Sequence, residues 1–360
     1  MSRRVILHVG APKTGTTYVQ DRLSLNAVEL ARHGVHFPSR NRLVDASRFH
    51  FRAALDLLGE DWGGEPGHAE GSWDAMVRRV RRVSGTAIIS HEILAPAPKA
   101  AIARAMADLA GRDVHIVYAV RDPARQLPAA WQESVKQGGR WTFANFLDRV
   151  EKGKPWFFHA LDLPRVLSRW GAQLPPENVH VVTVPHQRDE RLWQRYRQAF
   201  GIEEAWAPVD SEAVNTSLGI AETQLVRQLN RRVERGARKS TAYDRLIREM
   251  LAQEHLVHRR SPPVRLPPDR YGWSYEQADL WIDWLKGSGV DVIGDVEDLR
   301  PVPPDPDVRW RDPDKVTARP LLAAALDALE AMTDEAATRT PNEMQLSSRV
   351  RTGVDRLRGR

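Results

Sequence analysis

The chain has 360 residues, with 53 Lys and Arg against 47 Asp and Glu, a net charge of +6 and 42% hydrophobic residues. This balance is typical of a globular protein and excludes wholesale disorder. The sequence has no cysteine, which excludes disulfides, thiolate nucleophiles and cysteine-bound zinc. It has neither a run of about eighteen apolar residues nor a signal-peptide pattern after residues 1–4, so we expect a cytoplasmic protein without a membrane span.

Arginine dominates the positive charge. Only 8 of the 53 cationic residues are lysine, and the planar guanidinium of arginine suits bidentate recognition of phosphate or sulfate. The arginines are scattered through helical segments beside Asp and Glu, a pattern typical of solvated helix faces. We therefore predict no nucleic-acid partner.

Four apolar, β-branched runs predict buried strands, at residues 4–9, 86–90, 114–120 and 179–184. Apolar residues recur at helical spacing between them, over residues 16–33, 73–83, 100–110 and 127–137. Strands that alternate with helices indicate an α/β fold with a parallel sheet and helices on both faces. Ligands of such sheets bind beyond the carboxyl ends of the strands, where residues 10–17, 90–92 and 121–123 are polar.

The second half of the chain predicts a helical C-terminal elaboration. Residues 219–253 and 275–286 have helical patterns, residues 301–313 are rich in Pro and Asp, and residues 316–332 predict a last helix. We predict one α/β domain over residues 1–300, with a core at 4–200 and the elaboration at 201–300. Residues 301–360 then form a Pro-rich connector, the last helix and a basic, partly disordered tail from residue 333. Residues 50–73 are rich in aromatics and Gly, and we expect a lid or pocket wall there.

The most informative segment is Val-Gly-Ala-Pro-Lys-Thr-Gly-Thr-Thr-Tyr at residues 9–18. It follows a predicted strand and opens a predicted helix, which is the geometry of a phosphate cradle: glycines allow close approach, and the helix N-terminus attracts an anion. It is not a Walker A loop, because that motif has Lys directly after the second Gly, where this chain has Thr16. The lysine lies upstream, at Lys13, which argues against an ordinary ATPase or kinase.

This loop resembles the 5′-phosphosulfate loop of sulfotransferases that use 3′-phosphoadenosine 5′-phosphosulfate (PAPS), in which Pro-Lys-Ser/Thr-Gly-Thr-Thr precedes an aromatic or aliphatic residue. The resemblance implies a P-loop-type α/β fold and PAPS as co-substrate, with no metal. It implies that Lys13 neutralises charge on the leaving group. The implied donor-binding residues of the loop are Pro12, Lys13, Thr14, Gly15, Thr16, Thr17 and Tyr18.

A second element resembles the 3′-phosphate motif of the same family, which has Arg, then Asn/Asp-Pro, then Ser eight residues after the Arg. Here the strand at residues 114–120 is followed by Arg121, Asp122 and Pro123. The resemblance implies that Arg121 binds the 3′-phosphate. The eighth position is Ala129 rather than Ser, which removes one hydrogen bond to a charged group, worth roughly 1.5–3 kcal/mol. Arg125 or Lys136 is a candidate to compensate.

The family's base is a His or Glu near the end of another central strand, and His91 and Glu92 follow the strand at residues 86–90 here. Glu92 is the first choice and His91 the second. Side chains alternate along an extended segment, so we expect only one of the two to face the cleft. The structural alternative is that the pair caps a following helix or forms an ion pair.

The resemblance covers roughly residues 4–184 and implies a bacterial transferase with a small-molecule, sugar or lipid acceptor. Residues 215–217 are interpreted as a helix cap or a nucleotide contact, and Trp62 and Trp131 as candidates for stacking on a ligand. One rival is a nucleotide-dependent phosphotransferase, which needs a carboxylate for Mg²⁺, and Asp122 is the plausible one. The other is a catalytically degenerate nucleotide-binding protein. The His pairs at 33/36 and 255/258 lack an acidic third ligand, so we predict no metal site.

Overall fold

The computed structural model describes residues 3–40, 45–62, 64–153, 156–211 and 217–338. Its strands are β1 (Arg3–Gly10), β2 (Val35–His36), β3 (Gly85–Ser90), β4 (Asp113–Val120), β5 (Val179–Thr183) and β6 (Asp291–Ile293). They form one sheet in the order β2-β3-β1-β4-β5-β6, and every neighbouring pair is parallel. The predicted α/β fold with a parallel sheet is therefore confirmed.

Helices connect the strands and continue after β6. In the first half of the chain they are α1 (Thr16–Leu25), α2 (Ala27–Arg32), α3 (Ala46–Leu58), α4 (Ser72–Arg82), α5 (Lys99–Asp108), α6 (Pro123–Lys136), α7 (Phe143–Glu151), α8 (Trp156–Leu161) and α9 (Leu163–Trp170). In the second half they are α10 (Arg191–Phe200), α11 (Ile220–Arg232), α12 (Thr241–Tyr243), α13 (Tyr271–Ser288) and α14 (Ala318–Thr338). A π-helix, Asp244–His255, follows α12 directly.

The sheet is buried on both faces, because its alternate residues divide between two hydrophobic cores. In β4, Ile116 and Tyr118 belong to one core, which includes side chains of α3–α7, α9 and α13. Val117 and Ala119 belong to the other, which is closed by α1, α2 and α10. All four side chains are fully buried. This alternation explains why the strand reads as a continuous apolar run.

The four predicted strands are present, with ends that differ by at most one residue, but the two edge strands β2 and β6 were missed. Each has three residues or fewer, which is too short for a periodic pattern. β6 lies within the mainly helical elaboration at residues 201–300 and pairs with β5.

The lid or pocket wall predicted at residues 50–73 is wrong at the two ends of that segment, which are helical. Residues up to Leu58 belong to α3, and Trp73 lies at the start of α4. Trp73 packs in the first core, together with Phe49 just before the segment, and both rings are essentially inaccessible to solvent. Phe51 is partly buried against the same core, whereas Trp62 is 39% exposed.

The chain after residue 217 packs back onto the α/β layers. Asp314 accepts hydrogen bonds from the backbone N–H groups of Phe143 (2.9 Å) and Ala144 (3.0 Å), so it caps the start of α7. The last helix, α14, continues to Thr338, past its predicted end at residue 332, and residues 339–360 of the predicted tail lie outside the described residues. Within the described ranges, each helix is too short or too polar to cross a membrane.

Candidate active site at the carboxyl edge of the sheet

A cavity of about 1010 Å³ opens at the carboxyl ends of β1, β3, β4 and β5. Its lining comes from five parts of the chain: residues 13–18, Glu92, Arg121 with residues on α6, the segment from Val184 to Leu192, and residues of the C-terminal half that include Ser217 and Arg248. The sequence predicted a ligand at this edge of the sheet, and three of its candidate elements meet here.

The loop before α1 has the backbone conformation that an anion cradle needs. Gly15 precedes the helix with φ 98°, a left-handed conformation that favours glycine, and a Cβ atom there would lie 2.9 Å from the end of the Leu192 side chain. The first N–H groups of α1, on Thr16, Thr17 and Tyr18, have no acceptor within the helix. They lie at the cavity lining, where the helix dipole adds positive potential.

The side chains of this loop have two roles: some stabilise the loop itself, and others line the cavity. The Thr14 hydroxyl donates to the Ala11 carbonyl (2.6 Å), and Gln126 donates to the Pro12 carbonyl, so Pro12 and Thr14 hold the loop in shape. The buried Thr16 hydroxyl faces Glu92 and lowers the pKa of that carboxyl by hydrogen bonding, and Thr17 is exposed at the cavity. Thr17 is therefore the loop residue whose hydroxyl is open to a ligand, and Thr16 connects the loop to Glu92.

Tyr18 also lines the cavity, and its hydroxyl belongs to an ion-pair network with Arg22 and with Asp210, which lines the cavity too. It accepts a hydrogen bond from Arg22 (2.7 Å) and donates to Asp210 (3.3 Å). Burial raises the pKa of this phenol, so it stays protonated at neutral pH. Tyr18 is therefore a part of the cavity lining that these hydrogen bonds hold in place.

Arg121 extends into the cavity from the end of β4. Its Nε is buried and has no hydrogen-bond partner among the described residues. Burial, with the nearby charge of Arg125, lowers the pKa of this guanidinium to about 10, which leaves it cationic at neutral pH. A buried donor without an acceptor is costly, and an anionic ligand would satisfy it.

Both proposed substitutes for the hydroxyl missing at Ala129 line the cavity, and each already has partners within the protein. Arg125 donates to three backbone carbonyls of residues 184–186 at 2.9–3.1 Å and to the Asp122 carboxylate. Lys136 is paired with Glu133 at 2.8 Å. Ala129 itself lines the cavity, as predicted for that position.

Asp122 is fully buried and does not line the cavity. Its carboxylate accepts from the Arg125 side chain and from the Arg125 backbone N–H at 3.0 Å, which caps α6. The magnesium-binding role considered for Asp122 therefore conflicts with its position. Among the described residues, no cluster of three or more His, Asp and Glu side chains is placed to hold a metal ion.

Only one of the two candidate bases faces the cavity, as the alternation predicted. Glu92 lines it, whereas His91 stacks on Phe51 with ring centroids 5.0 Å apart. The His91 ring accepts a hydrogen bond from the backbone N–H of Ile93 (3.3 Å), so His91 caps the short helix Glu92–Leu94. Burial lowers the pKa of His91 to about 3, so its ring is neutral. His91 therefore acts as a helix cap, which is the structural alternative given above, and Glu92 is the candidate base that faces the cavity.

The glycine at the end of β1 brings Glu92 close to the loop. A Cβ atom on Gly10 would lie 3.1 Å from the Ala95 side chain and 3.4 Å from the Glu92 carbonyl oxygen. Burial raises the pKa of the Glu92 carboxyl above its ordinary value, while the charges of Lys13 and Arg248 act in the opposite direction. A carboxyl group with a raised pKa at a cavity wall is a stronger base than an exposed one and is suited to accept a proton.

The main feature that the sequence did not reveal is a charge cluster around Glu133. This buried carboxylate lies 2.6 Å from the Lys13 ammonium and 2.8 Å from that of Lys136, and Arg248 Nε is 3.7 Å away. Although burial acts to raise it, these three cations hold the pKa of Glu133 well below its ordinary value. The cluster carries three positive charges against one negative charge and forms one wall of the cavity.

The remaining candidates contribute little to the site. Trp131 is buried and donates from its indole N–H to the Trp141 carbonyl (3.1 Å), and Trp62 is 39% exposed but does not line the cavity. Ser217 lines the cavity, whereas Asn215 and Thr216 lie outside the described residues. Helix α11 begins after Gly219 without a side-chain cap, so Ser217 does not cap it.

The geometry is therefore that of a cavity suited to an anion, with a carboxyl group beside it. It combines free helix-terminal amides, Lys13, an unpartnered Arg121 and the charge cluster around Glu133. No protein-family model matches the sequence, and comparisons with curated proteins and with solved structures find no match.

Proposed function

We propose that the protein is a sulfotransferase that moves a sulfuryl group from PAPS to a hydroxyl or amine. One observation carries the proposal: the loop at residues 13–18, Glu92 and Arg121, which are far apart in sequence, line the same cavity. These are the elements that the resemblance assigned to the 5′-phosphosulfate, the base and the 3′-phosphate.

In the proposed reaction, the acceptor oxygen or nitrogen attacks sulfur, and the bond between sulfur and the 5′-phosphate oxygen breaks. The acceptor's proton passes to Glu92, and adenosine 3′,5′-bisphosphate leaves. Lys13 and the N–H groups at the start of α1 stabilise the negative charge that develops on the leaving phosphate. Glu133 keeps Lys136 as a partner when Lys13 turns to the donor.

The proposed donor site is tested by thermal unfolding with adenosine 3′,5′-bisphosphate, 5′-AMP, or ATP with magnesium. Ligand at a hundred times its dissociation constant stabilises the fold by about 2.7 kcal/mol. We expect the bisphosphate to stabilise the wild type more than 5′-AMP does. Arg121→Ala should abolish that difference, whereas Arg78→Ala, an exposed position on α4, should preserve it.

Two results would overturn the proposal. The first is the absence of stabilisation by the bisphosphate, which would remove the donor. The second is stronger stabilisation by ATP with magnesium, which would favour the phosphotransferase. Equal effects of the bisphosphate in wild type and Arg121→Ala would refute the role of Arg121 alone.

A further inference from the structure

The wall of the cavity that carries Arg248 belongs to the C-terminal half, beyond the part of the chain that carries the resemblance. The π-helix Asp244–His255 supplies Arg248, Ala252 and Gln253, and Val257 follows it. Single turns of π-helix are frequent at functional sites, and this one is longer. The π-helix is therefore a second candidate element for ligand recognition.

Arg248 has donors that the protein does not use. Its Nη1 donates to Asp244 (3.2 Å), but its Nε is 3.7 Å from the nearest Glu133 oxygen, which is too long for a hydrogen bond. This Nε is buried, and among the described residues no acceptor lies within hydrogen-bond distance of it. No described residue accepts from Nη2 either. The edge of the guanidinium formed by Nε and Nη2 therefore has no acceptor among the described residues, and its Nε is buried as well.

The positive charge of Arg248 is also only partly compensated by the carboxylates near it. Glu133 is already paired with Lys13 and Lys136 at 2.6 and 2.8 Å, so it does not depend on Arg248 for compensation. Asp244, the other partner of Arg248, is 43% exposed and therefore screened by solvent. An arginine edge with two free N–H groups is the geometry that binds a carboxylate, sulfate or phosphate in a bidentate manner.

Arg248 is also close enough to Glu92 for its charge to act on that carboxyl group. A ligand group on Arg248 would therefore place the rest of the molecule beside the proposed base. Leu218, Ala252 and Val257 line the cavity as well and offer it an apolar surface.

We propose that the acceptor carries an oxyanion group, a carboxylate, sulfate or phosphate, bound on the Nε/Nη2 edge of Arg248, with its reacting hydroxyl or amine directed to Glu92. This inference rests on the proposed function for the identity of the acceptor. The anion site on Arg248 is independent of it and is tested by binding alone.

The experiment measures binding of matched small probes by calorimetry, with and without saturating adenosine 3′,5′-bisphosphate. The probes are 4-hydroxyphenylacetate, its neutral amide, and 4-hydroxyphenyl phosphate. We expect the two anions to bind the wild type about tenfold or more tightly than the amide, because their contact is charge-assisted. Arg248→Met should reduce that ratio to about one, and Arg248→Lys should leave an intermediate value, because lysine lacks the planar edge.

Arg245→Met is the matched control, since Arg245 is exposed on the same π-helix and does not line the cavity. It should keep the discrimination of the wild type. The melting curve of each variant, with the bisphosphate present, reports separately whether the fold and the donor site are intact.

Three results would overturn the inference: equal affinity of the wild type for anions and amide, unchanged discrimination in Arg248→Met, or loss of bisphosphate binding in Arg248→Met. The last would assign Arg248 to the donor. A wild type that discriminates the anions but does not bind the bisphosphate would refute the sulfotransferase proposal while supporting the anion site. Stronger binding of the phosphate probe than of the carboxylate would identify a phosphate ester as the acceptor's group.

Discussion

The two ends of the parallel sheet both carry clusters of titratable groups, but only one cluster has unsatisfied donors. At the amino end, His115 on β4 and His180 on β5 face each other with ring nitrogens 2.8 Å apart. The outer nitrogen of His115 pairs with Asp113 (3.1 Å), and that of His180 pairs with Asp291 on β6 (2.6 Å). Both ring nitrogens of His115 and both of His180 therefore have a partner within the protein.

At the carboxyl end, Arg121 Nε and Arg248 Nε are buried without a hydrogen-bond partner among the described residues. Both side chains line one cavity. Buried polar groups are normally satisfied, so exceptions that share a cavity indicate a ligand. The comparison shows that buried donors without a hydrogen-bond partner identify a candidate site better than the number of charged residues does.

The largest effect should come from Glu92→Gln. We expect kcat to fall by about 10²–10⁴-fold, the contribution typical of a general base, with affinity for the bisphosphate retained. Because burial raises the pKa of Glu92 above 4.5, the active carboxylate form is lost at a higher pH than for an exposed glutamate. The acid limb of the kcat/KM profile should therefore lie above that value.

His91→Gln is the control for Glu92, since His91 adjoins it but faces Phe51. Its pH profile should keep the acid limb, and its turnover should stay within a few-fold of the wild type once stability is matched. Full activity in Glu92→Gln would place the base elsewhere and remove the functional contrast between the two ends of the sheet.

A smaller effect is expected from Glu133→Gln, which leaves three cations without their shared carboxylate. Breaking a fully buried pair costs roughly 3–5 kcal/mol, but Lys13 and Arg248 have side chains about one-third exposed, so we expect about 2 kcal/mol in urea unfolding. The variant should also bind pyrophosphate more tightly than the wild type does, because the cations are freed.

The pH dependence of this loss follows from the lowered pKa of Glu133. A carboxyl group with a lowered pKa in the fold stabilises it above its ordinary pKa of 4.5, and that contribution is lost as the pH falls through the folded value. The stability gap between wild type and Glu133→Gln should be constant near neutrality and shrink below pH 4.5. A gap that widens in acid would contradict the assigned charge state.

The smallest effect should come from Asp291→Asn at the amino end. Asp291 has a side chain 45% exposed, so loss of its ion pair with His180 should cost less than about 1 kcal/mol in urea unfolding. Affinity for the bisphosphate should not change. Asp283→Asn, at an exposed position on α13, is the control. Weakened bisphosphate binding in Asp291→Asn would show that the two ends are coupled.

The parts of the fold and site that could be predicted are those with a local signal. The apolar run at β4 and the glycines around Lys13 determine structure over a few neighbouring residues, so the central strands and the loop were recognisable. The edge strands β2 and β6 have no such signal, because their pairing depends on residues far along the chain.

Glu133 and Arg248 could not be found for a related reason. Each is a charged residue in a helical pattern, which is usually a solvated position. Their role depends on α6 and the π-helix meeting across the loop, a contact between residues more than one hundred positions apart in the chain. The π-helix also has no recognised sequence signature, so the direction in which Arg248 points was not predictable.

The backbone at Lys13 bears on how this sequence balances stability against activity. Lys13 has φ 67°, in the left-handed region where a residue other than glycine costs roughly 1–2 kcal/mol. Selection for stability alone would favour Gly or Asn at this position, as it would favour Ala or Gln in place of many exposed residues. Lys13 therefore destabilises the fold through its backbone, and the contribution of its ammonium group to ligand binding at the cavity offsets that cost.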